Sequence, residues 1–498
     1  LTEKPKYVKS LDLERYGEEP NILYPLGLGI YAHIQAGGEI GKYNLIEPDK
    51  PDRETLDTIE TAVARLVTDE EYGEKSEIVL ARLFKQAVKK MVKVPKGKET
   101  LLLYYFLREK IRHGFLEGFL ADPWLEDVSV PGGGKVFVYH KMYRSLETNV
   151  DVSKDEVDRL LRSISERYGK VLSYTNPIID VHLPDGSRFN IVFGEDISLK
   201  GSNFTIRKFP EEPISVAHLI RWGTFSPELT AYLWMLLEVG VSGFFCGETA
   251  SGKTTSLNAL TCFIGSDSKV VSIEETPEVK IFHKNWVREV TRLHTGAQVT
   301  MFELLKAALR QRPDLIIVGE IRGEEGRVAF QAIETGHPVL STMHAGTLSQ
   351  LFQRLTSDPI NVPKTHIDGL NLAIFQARIE RKGKLIRRVT SINEIIGYEP
   401  GEGRLNYLPV FLYDPDLDKM RFMGSSFHLE TKVLTFRGWG KGRLRDLYEE
   451  MRARTEILQF LSENYPRYLE VWQTVIAAQN RGIWKVHGKV QERRAPWK

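Results

Sequence analysis

Residues 247–254 read GETASGKT, two glycines enclosing four residues and followed by Lys253 and Thr254. The strand-like run VSGFFC precedes this octet and the helix-like run TTSLNALTCFI follows it. A strand, a glycine-rich loop and a helix in that order call for an α/β sheet whose strand ends open onto the loop. Glycines let backbone amides turn inward around oxyanions, and the helix N-terminus adds N–H donors and a partial positive charge. Lys253 is expected on the β- and γ-phosphates, Thr254 on Mg2+ through its hydroxyl, and Thr255 on the α-phosphate. Gly247, Thr249, Ala250, Ser251 and Gly252 complete the set expected to wrap a nucleotide.

Such a loop needs a metal-side carboxylate and a group that activates water. DLIIVGEIR (314–322) has four aliphatics of a buried strand, then Gly319 and Glu320 at its carboxyl end, where ligands bind in open α/β sheets. Glu320 is expected as a general base or as a holder of the Mg2+ shell. VVSIEETPE (270–278) puts Glu274 and Glu275 at the end of another strand, one of them to place the attacking water. TGHPVLSTMHAGT (335–347) sets His337 before a strand and His344 at its end. No third ligand stands at helical spacing from them, so a γ-phosphate sensor or packing role is expected rather than zinc. Phosphoryl transfer rests on electrostatic stabilisation, which makes Arg310, Arg312, Arg322, Arg188 and Arg207 candidates as well.

The 498-residue length predicts two or three domains. Residues 1–100 read as a helical, charged region, with KSEIVLARLFKQAVKKMVK (75–93) periodic at three and four residues and lysines at 85, 89, 90, 93 and 96. Residues 101–208 read as an α/β domain: helices at 102–120 and 157–169, strands at 135–142 and 203–209, and a hairpin at 182–194 turning at Pro184, Asp185 and Gly186. Residues 209–226, with two prolines and an acidic pair, read as a linker. Beyond it, 227–498 alternates strands at 241–246, 269–275, 314–320 and 338–344 with helices and ends in a helical tail at 441–480. The apolar stretch 229–248 is broken by Glu238, glycines and Ser242, so a helix and a buried strand are expected instead of a membrane span. Two cysteines suit a reducing cytosol and cannot build a four-cysteine zinc site. A formal net charge of +2 gives no argument for a polyanionic partner.

GETASGKTT, SIEETPE, LIIVGEIR and TGHPVLSTMHA stand in the order of a Walker A motif, Asp box, Walker B motif and His box. This set resembles the type II/IV secretion ATPases, the RecA-like hexameric motors of secretion systems, type IV pili and archaella. The resemblance spans 241–395 and reaches upstream through DPWLEDVSV, VYH, LPDGSRFN and GSNFTIRKF to the family's N-terminal α/β domain. It implies that Lys253 and Thr254 bind phosphate and Mg2+, that Glu274 is the catalytic acidic residue, and that Glu320 is the Walker B glutamate. It further implies that His337 and His344 are the His box pair, and that Arg188 and Arg207 are brought to the nucleotide on domain closure, from the same subunit or a neighbour. Two positions depart from the pattern: Glu275 follows Glu274 where aspartate is usual, and Gly323 replaces the aspartate after Walker B. The second departure leaves open which partner Arg322 finds. Without a four-cysteine module the chain looks closer to the archaeal branch, and without an AIRNLIRE-like string it looks closer to assembly or rotation motors than to retraction motors.

The resulting expectation is an α/β, RecA-like P-loop core behind an N-terminal α/β domain, that domain preceded by the helical region. The implied protein is a homo-hexameric ATPase that uses ATP and Mg2+, is cytoplasmic and peripheral on the membrane face, and acts on a polytopic membrane platform protein. Residues 1–100 would dock it. The alternative is a RecA-like ATPase that translocates nucleic acid, against which the near-neutral charge and the lack of an aromatic-basic strand-binding pattern count. A scaffold that binds ATP without turnover is a further rival, against which Glu274 and Glu320 count.

Overall fold

A computed structural model describes residues 5–9, 11, 20–37, 40–67, 77–92, 94–95, 97–183, 186–209, 213–292, 298–381 and 384–497. The chain divides into two units, Leu1–Glu211 and Glu212–Lys498.

In the N-terminal unit the described strands are β1 (Lys6–Tyr7), β2 (Asn21–Gly27), β3 (Ile30–Gln35), β4 (Gly41–Ile46), β5 (Leu125–Val130), β6 (Gly134–His140), β7 (Arg144–Val152), β8 (Ile178–His182), β9 (Arg188–Val192) and β10 (Asn203–Arg207). They make one sheet in the order β1-β2-β3-β4-β7-β6-β5-β10-β9-β8. Helices Arg53–Ala64, Glu77–Lys90, Glu99–Lys110 and Lys154–Arg167 accompany it. Each start has a local cause where a cap is present: Asp52 accepts from the Thr55 N–H, and Ser153 and Glu156 form a reciprocal capping box.

The described part of residues 1–100 is not the helical region expected, because strands precede its helices. The strands β2, β3 and β4 have inward residues, Ile22, Tyr24, Ile30, Ala32, Ile34, Tyr43 and Leu45, that are buried. These strands are short, and outward positions such as Leu23 and Tyr31 are themselves apolar or aromatic, so their period-two signal is weak beside the longer charged helices that follow. The expected helix at 102–120 is split, because Gly114 turns the chain at φ 60° into short helical turns at Gly114–Leu116 and Glu117–Leu120. The expected linker is also shorter. Val216–Arg221 is a helix capped by Ser215, with Val216, Ala217, Leu219 and Ile220 in the core. Pro184, Asp185, Lys93 and Lys96, on which a turn and part of the lysine run were expected, lie outside the described residues.

The C-terminal unit is built on β11 (Gly243–Cys246), β12 (Val270–Glu274), β13 (Trp286–Val290), β14 (Leu315–Val318), β15 (Val339–Met343), β16 (Leu372–Arg381), β17 (Lys384–Glu399), β18 (Arg404–Asp414) and β19 (Lys419–Phe422). Their order is β13-β12-β14-β15-β11-β16-β17-β18-β19. β13 through β16 run parallel, and β16 through β19 form an antiparallel extension. Every residue of β11, β12, β14 and β15 is buried, as the near-continuous apolar runs of a covered parallel sheet require. This is the RecA-like P-loop core. The 229–248 stretch resolves into the helix Pro227–Glu238 and β11. Among the described residues no helix is long and apolar enough to cross a membrane.

The tail helices Leu444–Asn464, Tyr468–Arg481 and Ile483–Gln491 share a core with Pro227–Glu238, where Trp234 stacks on Phe263 at 5.1 Å. A buried carboxylate fixes the extension to this core. Glu394 of β17 accepts from Tyr232 Oη at 2.7 Å, Ser426 Oγ at 2.6 Å and the Phe427 N–H at 2.7 Å.

Candidate functional site

β11 delivers the chain to Gly247 at the carboxyl edge of the parallel strands, and the helix Lys253–Leu260 leaves from Gly252. Two glycines make the turn possible. A β-carbon on Gly247 would collide with the Gln376 carbonyl oxygen, and one on Gly252, at φ 95°, would stand 2.9 Å from Gln376 Nε2. Only glycine meets both the contact and the left-handed dihedral at Gly252. Lys253 curls over the loop, its Nζ donating to the carbonyls of Gly247 at 3.0 Å and Glu248 at 2.8 Å. Burial lowers its pKa, against the pull of the nearby Glu320 carboxylate. Ser251 Oγ donates to the Glu248 carbonyl at 2.8 Å. Thr254 and Thr255 occupy the first turn of the helix, half-buried.

Two carboxylates stand at the carboxyl ends of the adjacent strands β12 and β14, on the same edge of the sheet. Glu274, last residue of β12, is 1% exposed. Its Oε1 accepts from the N–H groups of Glu278 and Val279, both at 2.7 Å, while its Oε2 is buried with no hydrogen-bond partner. Burial pushes this carboxyl up to about 7, and the two amides only partly offset it. Glu320 follows β14. Its Oε2 accepts from Arg322 Nη2 at 2.6 Å. Its Oε1 lies 3.1 Å from His344 Nε2, an ion-pair distance at which the buried oxygen nevertheless makes no well-directed hydrogen bond. His344 is held below its ordinary pKa by burial, with Glu320 acting in the opposite direction.

The profile of the family described as type II/IV secretion system protein matches residues 113–381. The uncharacterized protein MJ0900 of Methanocaldococcus jannaschii is 42% identical over 96% of this chain and 93% of its own length. The chain belongs to the type II/IV secretion system protein family. The protein VirB11 of Agrobacterium fabrum is 28% identical over 48% of this chain and 77% of its own. The solved ATPase DotB of Legionella pneumophila is 18% identical over 73% of this chain and 94% of its own, with a TM-score of 0.41.

In this member of the family the departures from the usual pattern have local answers. Arg322, whose partner the Gly323 substitution left open, pairs with Glu320 and reaches Glu275 at 3.9 Å. Glu325 then accepts from the N–H groups of Arg322 at 2.6 Å and Gly323 at 2.7 Å, holding the turn that leaves β14. Of the two histidines, His344 joins the Glu320 cluster. His337 precedes β15, at the other end of the strand, and its Nδ1 lies 3.2 Å from Thr335 Oγ1. Within one subunit it therefore does not face the phosphate loop. Arg310 and Arg312 likewise precede β14, away from its carboxyl end.

Arg188 and Arg207 are in the N-terminal unit, directly opposite each other across the β9–β10 ladder. Like charges at such a position repel unless each has a counter-charge. Arg188 has Asp180, with Nε at 3.1 Å from Oδ1 and Nη2 at 2.9 Å from Oδ2. Arg207 is opposite Asp127 of β5, whose pKa it draws downward against the larger effect of burial.

Two site residues had no motif to announce them. Gln376, 2% exposed on β16, accepts from Ser256 Oγ at 2.8 Å beneath the loop. Arg387 on β17 donates through Nε to the Ala250 carbonyl at 3.0 Å. The signal for Gln376 was an amide ending the otherwise apolar run LAIFQ; Arg387 gave none.

The residues fit a magnesium nucleotide. The glycine cradle that a β-carbon would close, Lys253 over the loop and the helix N-terminus suit a polyphosphate. Mg2+ beside phosphates keeps most of its waters and needs only one or two protein oxygens. Thr254 and Glu320 are the oxygens available here.

Proposed function

We propose that this protein is an ATPase, working as a homo-hexamer on the cytoplasmic face of a membrane, that drives assembly of a type IV pilus-like, type II secretion or archaellum machine. The observation that carries the reading is the convergence on one strand-end edge of Lys253, Glu274 and the Glu320–Arg322–His344 cluster, around a loop only glycines can make.

Lys253 and the loop amides bind and orient the phosphates of ATP. Glu274 serves as the base: its Oε1 is fixed by two backbone amides and its Oε2 is left to take a proton from the attacking water. A carboxyl raised to about 7 is matched to that task near neutral pH. Glu320 and Thr254 hold Mg2+, which when bound neutralises phosphate charge. Arg322 holds Glu320 in place. Arg188 and Arg207 stabilise the developing charge when the two units close, within a subunit or across to a neighbour. The exposed Lys85, Lys89 and Lys90 on the helix Glu77–Lys90 face the membrane platform partner.

Equilibrium binding and turnover of Glu320→Gln test the reading together. MgATP affinity is expected to stay near wild type while kcat falls by about a hundredfold or more. Wild-type turnover in this variant would remove Glu320 from the chemistry.

A further inference from the structure

The phosphate loop is gripped by a residue outside every motif. β16 pairs with β11 in parallel register, Cys246 opposite Phe375, which sets Gln376 beside Gly247. At that point the β16–β17 ladder breaks register: Phe375 is opposite Ser391, and Gln376 is opposite Val389. A bulge of this kind re-aims a side chain. Here the Gln376 amide turns under the loop to accept from Ser256 Oγ at 2.8 Å, so the floor of the loop is a β16 residue.

The roof is Arg387. Its Nε donates to the Ala250 carbonyl at 3.0 Å, and its Cδ stands 3.2 Å from where a Gly252 β-carbon would be. Ala250 has φ 62°, a left-handed conformation that a residue with a β-carbon rarely adopts and that its surroundings must hold. The only hydrogen bond to that carbonyl among those of the described side chains comes from Arg387. The Ala250 peptide leads directly into Ser251 and Gly252, whose backbone sets the direction of the amides that meet phosphate.

We propose that Arg387 is a positioning residue for nucleotide binding, fixing the strained Ala250 peptide so that the loop is already shaped for the phosphates shared by ADP and ATP. This deepens the reading that the 247–254 loop holds nucleotide, and rests on it. The same contact ties the loop to the antiparallel strands β16–β19.

The test is titration of the full chain with Mg-ADP and with Mg-ATP, beside steady-state kinetics, for wild type, Arg387→Ala, Arg387→Lys and Lys253→Ala. Arg387 is exposed, and a thermal melt verifies that its variants fold. Arg387→Ala is expected to weaken ADP and ATP alike, by about five- to tenfold, with KM raised and kcat at saturation little changed. Arg387→Lys, which keeps the charge but lacks the planar Nε–H, is expected to recover less than half of that loss. Loss of ATP with ADP unchanged would make Arg387 a reader of the γ-phosphate and overturn the proposal, as would full rescue by lysine. Wild-type affinities in Arg387→Ala beside lost binding in Lys253→Ala would overturn it while leaving the loop reading intact. Unchanged binding in Lys253→Ala would overturn both.

Discussion

Gly319 lies against Glu274 where β14 and β12 end side by side: a β-carbon on Gly319 would come within 3.3 Å of Glu274 Cγ, and the Gly319 N–H donates to Ile273 at 2.9 Å. The glycine of the GEIR sequence thus makes room for the acid of the neighbouring strand. Gly319→Ala forces Glu274 to shift by a few tenths of an ångström. Reacting geometry is sensitive to such shifts, and kcat is expected to fall by about tenfold with ATP affinity kept. Single-turnover measurements check this, since they separate chemistry from binding.

The base role proposed for Glu274 implies a pH dependence. As a base it must be ionised, so kcat is expected to rise with pH through about 7 and then level. In Glu274→Gln the residual rate should be lower by about a hundredfold or more and lack that limb. Stability runs the other way. The folded carboxyl binds its proton more tightly than the unfolded one, so its contribution is full below the unfolded pKa of 4.5 and is lost as pH rises through about 7. Glu274→Gln should therefore be more stable than wild type at pH 8, by up to about 3 kcal/mol, and no more stable at pH 4. Urea midpoints at the two pH values measure the difference.

Besides the β4–β7 ladder, a buried carboxylate ties the strands β2–β4 to the rest of the N-terminal unit. Asp122 accepts from Tyr24 Oη at 2.5 Å and Tyr43 Oη at 2.8 Å, and Lys208 donates to its carbonyl. Removing residues 1–100 would strip both tyrosines from Asp122 and uncover the edge of β7, so that deletion does not isolate a docking function. Tyr24→Phe is expected to cost about 2 kcal/mol, read as a lowered urea midpoint. Substitution of Lys85, Lys89 and Lys90 is the cleaner probe of docking.

Glu394 in the same manner ties β17 to the helix Pro227–Glu238, on which the tail helices pack, and to Ser426 and Phe427. Glu394→Ala leaves Tyr232, Ser426 and the Phe427 N–H without an acceptor in a buried position. Unpaired buried donors cost about 1–3 kcal/mol each, so a loss of about 3 kcal/mol or more is expected, with early melting of the tail helices by hydrogen exchange.

The phosphate loop and the strands beside it were legible because their physics is local. FFC, VVSI, LIIV and VLSTM are apolar runs of a covered sheet, and each ends in a residue the chemistry needs or points to. The exception is His337, whose motif sets it at the start of β15 while His344 sits at its end. What stayed hidden depends on non-local pairing. In the β16–β19 extension the long strands β16 and β18 mix a buried stretch with half-exposed positions and so carry no strong alternation over their length. Gln376 and Arg387 matter only because that extension brings them to the loop. Residues 21–46 were missed for a different reason: β2, β3 and β4 pair with their sequence neighbours, but each is only six or seven residues long, and only β4 reaches a distant partner, β7.

The most direct test of the account is the ATPase rate per subunit as a function of protein concentration, with Lys253→Ala alongside. The rate per subunit is expected to climb as the proposed hexamer assembles, and to vanish in the variant. ATP hydrolysis by Lys253→Ala at the wild-type rate would contradict it.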